Sequence, residues 1–513
     1  MSDTADIVVR FDRLQERLRS HYERVFPDPL LPRTVIVNPS LSMDLEVLGK
    51  IKGLQHYEER MLCMLLLLRL PRTRVIYLTS LPIDPEIIDY YLHLLPGIPS
   101  GHARRRLTLI SCQDASAVPL SRKILDRPRL MQRLLDAIPD PQETHMSCFN
   151  VTDIERKLAV RLGVPIYGCD PSISDPGSKS GSREAFKKAG IGVSPGFERL
   201  RDEKDVFGAV TELKGRHPEL RRAVVKLEQG ASGEGNAIIP LSDAPTGSGL
   251  GQWVEQELPR RIAFEAVGET WEHYQDKFRE MGGIVEEFIE GKGKASPSVQ
   301  CRIDPAHRIE MISTHDQVLG GPSGQIFLGC TFPALPAYRL HIQEAGLKVS
   351  EVLKDLGVIG RFGIDFVSVP DGEADGGWRH YGIEINLRKG GTTHPFMMLQ
   401  FLTDGRYDLE TGSFFTPVGQ ERCYFASDNL ENPNYRGLMP EDLMEIVVDH
   451  HLHFDATKQS GVAFHLIGSL SEFGKLGMIC VSDTVESSQE LYRSTVEVLD
   501  REALPQALER DET

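Results

Sequence analysis

The feature that most restricts the fold is an alternation in the first third of the chain. Short β-branched runs, "RTVIVNPS", "RVIYLTS", "RLTLISC", "HMSCFN" and "VPIYGC", are separated by helical patterns such as "HYEERMLCMLLLLRL", "PEIIDYYLHLL" and "SRKILDRPRLMQRLLDAI". Strands spaced by helices return in the same direction through right-handed crossovers. The stretch from about 30 to 170 therefore predicts a parallel, doubly wound α/β sheet, behind an amphipathic helix at about 10–26. From about residue 298 the order changes: "SVQCRID", "RIEMIST", "GQIFLGCTF", "GIDFVSV" and "RHYGIEIN" predict consecutive strands in an antiparallel sheet. Between the two regions, "DPSISDPGSKSGSR" (170–183) is rich in Ser, Gly, Pro and Asp and reads as a linker or functional loop.

At 513 residues the chain is too long for one ordinary core. Its 40% hydrophobic and 26% charged residues are those of a globular protein, and a net charge of -16 argues against a nucleic-acid binder, which needs a basic face. The greasiest run, "MLCMLLLLRL", is broken by Arg69 and falls short of the roughly 20 residues of a membrane span. The start, "MSDTADIVVRFDRL", lacks the basic end and apolar run of a secretory signal, and the eight cysteines are scattered. Free thiols and a cytoplasmic location are the expectation.

Four stretches could carry chemistry. "AVVKL" predicts a strand that aims Lys226 to one face, followed by the loop "GASGEGN" with Gly230, Ser232, Gly233, Gly235 and Asn236. Such a loop presents backbone N–H groups to phosphate, although the lysine precedes the loop where a P-loop lysine follows it, and an ordinary hairpin turn explains the same residues. "FGIDFVSVPDGEADGGWRHYGIEINLRKGGTTHPF" (362–396) predicts a hairpin that sets Asp365 opposite Glu384, with Asn386 on the same face as Glu384. Like charges in that position destabilise a hairpin unless a divalent cation lies between them, and oxygen ligands of this kind suit Mg2+; a solvated hairpin face is the other reading. Lys179 stands just before a helix, and Glu286 and Glu287 interrupt the apolar strand "GIVEEFIEG". "STHDQ" places His315 and Gln317 in a Gly-rich setting suited to a substrate pocket, and "DHHLHFD" has the residue types of a metal cluster without a shared direction. No "GxSxG" elbow is present.

Taken in order, a lysine before a helix, a lysine on a strand with a glycine loop, an acidic apolar strand, and Asp with Glu-x-Asn resemble the ATP-grasp fold of carboxylate-amine ligases over about 165–395. With "GKIKGLQHYEER", "ILDRPRL" and "GVAFHLIGSLSEFGKLG", the whole chain is similar to the pheganomycin-type peptide ligases and to the ATP-grasp region of IQ-motif-containing protein H. The resemblance implies a Rossmann-like pre-ATP-grasp domain at 1–170, a two-subdomain α+β ATP-grasp domain at 171–396, and a C-terminal cap at 397–513.

It further implies an ATP-dependent peptide-forming ligase working through an acyl phosphate, with small-molecule carboxylate and amine substrates, no nucleic-acid or membrane partner, and a homodimer. Lys179, Lys226 and the loop Gly230 to Asn236 would hold ATP phosphates. Glu286, Glu287, Phe288 and Ile289 would meet the adenine, with Glu290 on the ribose. Asp365, Glu384 and Asn386 would bind Mg2+. Arg388 would face the transferred phosphoryl group, with Arg361 the competing arginine because Gly363 occupies the position two before the aspartate. Lys389, Thr392, Thr393 and His394 would lie near the acyl site. A nucleotide-binding module without turnover, or a kinase, remains compatible with the same motifs.

Overall fold

The computed structural model describes residues 2–43, 45–230, 233, 235–320, 324, 326–371 and 377–503. Four parallel strands, β1 (Arg33–Asn38), β2 (Thr73–Thr79), β3 (Leu107–Ser111) and β4 (Thr144–Cys148), form a sheet in the order β3-β2-β1-β4. All six residues of β1 are buried, as expected for a central parallel strand covered on both faces. "VPIYGC" contributes only one bridge, Ile166 to Met146. The predicted helix in "SRKILDRPRLMQRLLDAI" breaks into Leu120–Leu125 and Pro128–Ala137, because proline starts helices readily but cannot continue one. "HYEERMLCMLLLLRL" folds as a 3-10 helix, Leu54–Arg69, rather than an α-helix. Three residues per turn align side chains three apart, so Tyr57 and Arg60 lie on one edge.

A five-stranded antiparallel sheet follows, with β5 (Gly196–Leu200), β6 (Arg222–Leu227), β7 (Asn236–Pro240), β8 (Ala263–Phe264) and β9 (Gly283–Glu287) in the order β5-β9-β6-β7-β8. The second antiparallel sheet begins with β10 (Pro297–Ile303), β11 (Ile309–Gly320), β12 (Ile326–Phe332), β13 (Gly360–Pro370) and β14 (Trp378–Asn386). A short hairpin, β15 (Arg406–Asp408) and β16 (Ser413–Phe415), precedes β17 (Cys423–Glu431), β18 (Gly461–His465) and β19 (Lys475–Ser482). These last three strands join the same sheet, whose order is β14-β13-β10-β11-β12-β17-β19-β18.

Hydrogen bonding thus runs straight across residue 396, where the resemblance implies the start of a C-terminal cap. The packing does the same: Phe332 on β12 is fully buried among Phe396, Tyr407, Phe414 and Tyr424, stacking on the last with ring centroids 5.1 Å apart. One core joins residues of the parallel sheet, the Leu54–Arg69 helix and the C-terminal strands. No helix among the described residues is long and apolar enough to cross a membrane.

Candidate active site

The two antiparallel sheets and the Leu54–Arg69 helix enclose a cleft of about 820 Å³. Lys226 and Glu286 are diagonal neighbours on β6 and β9, since Val224 pairs with Glu286 and Lys226 with Ile284. Their side chains meet at 2.6 Å, both buried. Glu286 also accepts a charge-assisted bond from Arg183, which is fixed to Ser194 O at 2.7 Å. An acid buried between two cations is a satisfied ion-pair group.

The loop after Lys226 joins the hairpin partners β6 and β7. Gly233 and Asn236 line the cleft, and the Asn236 N–H donates to Gly233 O at 2.9 Å. Gly233 has φ 82, a conformation that glycine adopts without a Cβ penalty. Gly230 and Gly235 approach each other across the loop; Ser232 lies outside the described residues.

Glu286, Glu287, Phe288 and Ile289 line one wall in succession. The Glu287 N–H donates to Pro195 O at 2.8 Å and its carbonyl accepts from Ser194 Oγ at 2.6 Å. The Glu287 N–H is thus already bonded to backbone, and its carbonyl is the backbone group with a lone pair to spare. Phe288 is held between Arg222 and Lys294, 3.8 and 4.3 Å from its ring centroid. Glu290 forms a two-pronged pair with Arg222 at 2.9 and 2.7 Å and is not part of the wall.

On the opposite wall, β13 and β14 pair Asp365 with Glu384 and Gly363 with Asn386. The ladder slips at this point, Phe366 pairing with Gly382, so Ile383 is the extra residue of a bulge beside the acids. Asp365 accepts from Gln317 Nε2 at 3.1 Å and from Asn386 Nδ2 at 2.9 Å. Burial and the Glu384 charge push its carboxyl up to about 6. Burial opposes the charge of Glu384 too, but Lys179, Arg388 and Lys226 together hold it below the usual range. Lys179, the first residue of the Lys179–Lys188 helix, reaches Glu384 Oε1 at 2.6 Å. Two carboxylates and an amide facing each other in a buried pocket form an all-oxygen set that suits a hard divalent cation, whose charge would reverse their mutual repulsion.

Arg388 lines this end of the cleft and its charge acts on both acids. Arg361 does not line it: four residues before Asp365 on a strand is about 13 Å away. The charged groups that act on Arg361 are Arg302 and Glu310, and burial, more than either, lowers it to about 10. Of the residues after Arg388, Thr392 lines the cleft, whereas Lys389 turns to Cys148 O, Thr393 packs on Gln300 and His394 bonds His465. Gln317 lines the cleft, but His315 is buried in the core against Tyr424. No group of three or more His, Cys, Asp or Glu suited to a metal occurs among the described residues, "DHHLHFD" included.

Sequence reasoning missed Tyr57, Arg60, Asp428, Asn429 and Lys475, which close the far end of the same cleft. They are isolated polar residues in unrelated local patterns, so only the fold brings them together.

The chain is 31% identical over 467 residues to the L-propargylglycine–L-glutamate ligase of Streptantibioticus cattleyicolor, spanning 88% of this chain and 91% of that one. It belongs to the ATP-grasp ligases. The family described as IQCH-like, ATP-grasp matches residues 248–410, and the PGM1 C-terminal domain matches 442–495. This ATP-grasp ligase is also 20% identical to IQ motif-containing protein H of Danio rerio over 92% of its own length, spanning 48% of that protein. Its fold is similar to the biotin carboxylase domain dimer of Hydrogenobacter thermophilus 2-oxoglutarate carboxylase, crystallised with MgADP, ADP and bicarbonate. The TM-score is 0.55 at 14% identity, with 91% of this chain and 89% of that one covered. The protein is accordingly an ATP-dependent enzyme that forms C–N bonds.

Proposed function

We propose that this ligase joins two amino acids, phosphorylating the carboxylate of one and passing its acyl group to the amine of the other. The observation that carries the reading is the convergence on one cleft of the Lys179–Glu384 and Lys226–Glu286 pairs with the directly opposed Asp365 and Glu384. The amino-acid substrates are suggested by the relative, which is named for L-propargylglycine and L-glutamate.

Lys179 and Lys226 hold the nucleotide phosphates, each ammonium keeping donors beyond the one given to its glutamate. Gly230, Gly233 and Gly235 of the loop after Lys226 bring backbone close to the phosphates. The purine lies along Glu286 to Ile289, with the Glu287 carbonyl as an acceptor. Asp365, Glu384 and Asn386 would hold Mg2+, which would supply charge neutralisation for the phosphate groups. Arg388 stabilises charge that develops on the phosphoryl group as the substrate carboxylate attacks phosphorus and ADP leaves. The amine then adds to the acyl carbonyl, phosphate departs and the amine loses a proton, leaving the amide. Walls of the cleft shield the acyl phosphate from water.

Incubation of the full chain with ATP, Mg2+, hydroxylamine and a panel of amino acids tests this. Hydroxamate formed in step with ADP is expected, and Asp365→Asn should lower that turnover on the order of 100-fold. Phosphate transferred to a hydroxyl would point to a kinase, and ATP binding with no ADP release across the panel would rule out the ligase substrates proposed here. Wild-type turnover in Asp365→Asn would refute the metal ligands.

A further inference from the structure

The end of the cleft away from the purine wall is built by parts of the chain outside the two lysines and the acidic hairpin. Tyr57 and Arg60 come from the Leu54–Arg69 helix, Asp428 and Asn429 from a bulge in β17, and Lys475 from the start of β19. Lys475 is 8% exposed, and its ammonium donates to Tyr57 Oη at 2.7 Å and Asn429 Oδ1 at 3.1 Å, both neutral oxygens. Among the described residues its hydrogen bonds go to these two neutral oxygens and it forms no ion pair with a carboxylate. Buried ammonium groups are ordinarily paired with an anion.

Arg60 repeats the pattern. Its guanidinium is sandwiched between the Tyr57 and Phe149 rings, 4.6 and 4.9 Å from their centroids, and its Nε is buried with no hydrogen-bond partner. Its contact with Asp428 is a single 3.3 Å approach rather than a two-pronged pair. The same Phe149 ring has Arg388 6.0 Å from its centroid, so this end adjoins the reacting end. Behind Arg60, the His394–His465 pair is buried; burial, then Arg60, lowers His465 to about 3 and keeps it neutral. Arg388 is matched by Glu384 and Asp365, so at this end two cations, Arg60 and Lys475, face one carboxylate, Asp428. At the rim, Lys52 and Glu431 cancel at 3.0 Å.

We propose that this end is a clamp for the α-amino-acid head group of a substrate: Lys475 and Arg60 take its α-carboxylate, and Asp428 takes its ammonium. Arg60 is pre-oriented by its two rings, Lys475 by Tyr57 and Asn429, so the donors are in place before the substrate arrives. The surplus positive charge selects a zwitterion with a full carboxylate over an amine that lacks one. This assignment rests on the ligase reading above and deepens it. It gives the 3-10 helix and the C-terminal strands a part in substrate selection that the nucleotide machinery does not need.

The test uses the full chain with saturating ATP and Mg2+. ADP release is followed while each amino-acid substrate is varied in turn, starting with L-glutamate and L-propargylglycine and extending to the standard amino acids. Lys475→Met should raise the KM of one of the two amino acids on the order of 10- to 100-fold, with kcat and ATP affinity within about threefold of wild type. For the analogue of that amino acid without its α-carboxylate, wild type and variant should have equal KM. Lys475→Arg should restore most of the loss. Should Lys475→Met fail to fold, Tyr57→Phe, which removes only the hydroxyl that holds the ammonium, should raise the same KM to a smaller degree. Unchanged KM for both amino acids in a folded variant, or equal losses with and without the α-carboxylate, would overturn the clamp while leaving the ligase intact. A wild type that binds ATP and releases ADP with no amino acid would overturn the ligase reading and the clamp with it.

Discussion

Lys226 sits on a fully paired strand with its charge already matched by Glu286, so the site is assembled before nucleotide binds. Removing the ammonium leaves Glu286 with Arg183 as its remaining cation, which limits the damage to the fold. Lys226→Ala should therefore weaken ATP binding on the order of 10- to 100-fold with little change in Tm, measured by titration calorimetry and thermal unfolding. Unchanged ATP affinity would refute its contact with phosphate. A second residue prediction concerns Glu58, buried on the Leu54–Arg69 helix, where it accepts from both the N–H and the Oγ of Ser80 at 2.6 Å. Burial outweighs those bonds and raises it from an ordinary 4.5 to about 7. The folded state then holds this proton more tightly than the unfolded chain, so stability falls as pH rises from about 4.5 to about 7. In Glu58→Gln that contribution is absent, and the Tm difference between variant and wild type should shift in the variant's favour across this window. A pH-independent difference would show that Glu58 titrates normally.

Elements set the distances between these residues. The Lys179–Lys188 helix packs Phe186, 0% exposed, directly on Gly382 of β14, where an added Cβ would come within 2.6 Å of the ring. That close approach lets Lys179, seven residues before Phe186, reach Glu384, two residues after Gly382. Gly382→Val should destabilise the protein by about 1–3 kcal/mol and lower Mg2+-dependent turnover together, because the helix and the acidic strand move apart as a unit. Thermal unfolding and ADP release check it; lost stability with unaltered turnover would separate the packing from the site. The pairing of Asp365 with Glu384 is legible in the sequence, since the turn-rich "PDGEADGG" centres the hairpin and period-two alternation does the rest. The bulge at Ile383 is not legible, because a one-residue slip leaves the period-two alternation on either side of it intact.

At the scale of the molecule, the eight-stranded sheet crosses the point where the family resemblance implies the start of a C-terminal cap. β12 pairs Cys330, Thr331 and Phe332 with Ala426, Phe425 and Tyr424, and Phe332 loses its stacking partner without them. A chain ending at residue 396 should aggregate through the exposed β12 edge and show no cooperative unfolding by near-UV circular dichroism. A soluble, cooperatively folding fragment would show that the ATP-grasp region is independent of the strands that follow.

Local pattern in the sequence was enough for the parallel sheet, the antiparallel strands, and the ordered set of lysines, glycine loop and acids, because these depend on periodicity and on spacing along a few residues. Tertiary structure alone decided that Arg388 rather than Arg361 faces the acids, that the Glu287 N–H is already bonded, and that Lys389, Thr393 and His394 turn away from the cleft. It alone gathered Tyr57, Arg60, Asp428, Asn429 and Lys475, residues up to 418 positions apart. A side chain's direction is set by the strand or helix turn it occupies, but its partners are set by how separate elements pack, and no local period records that.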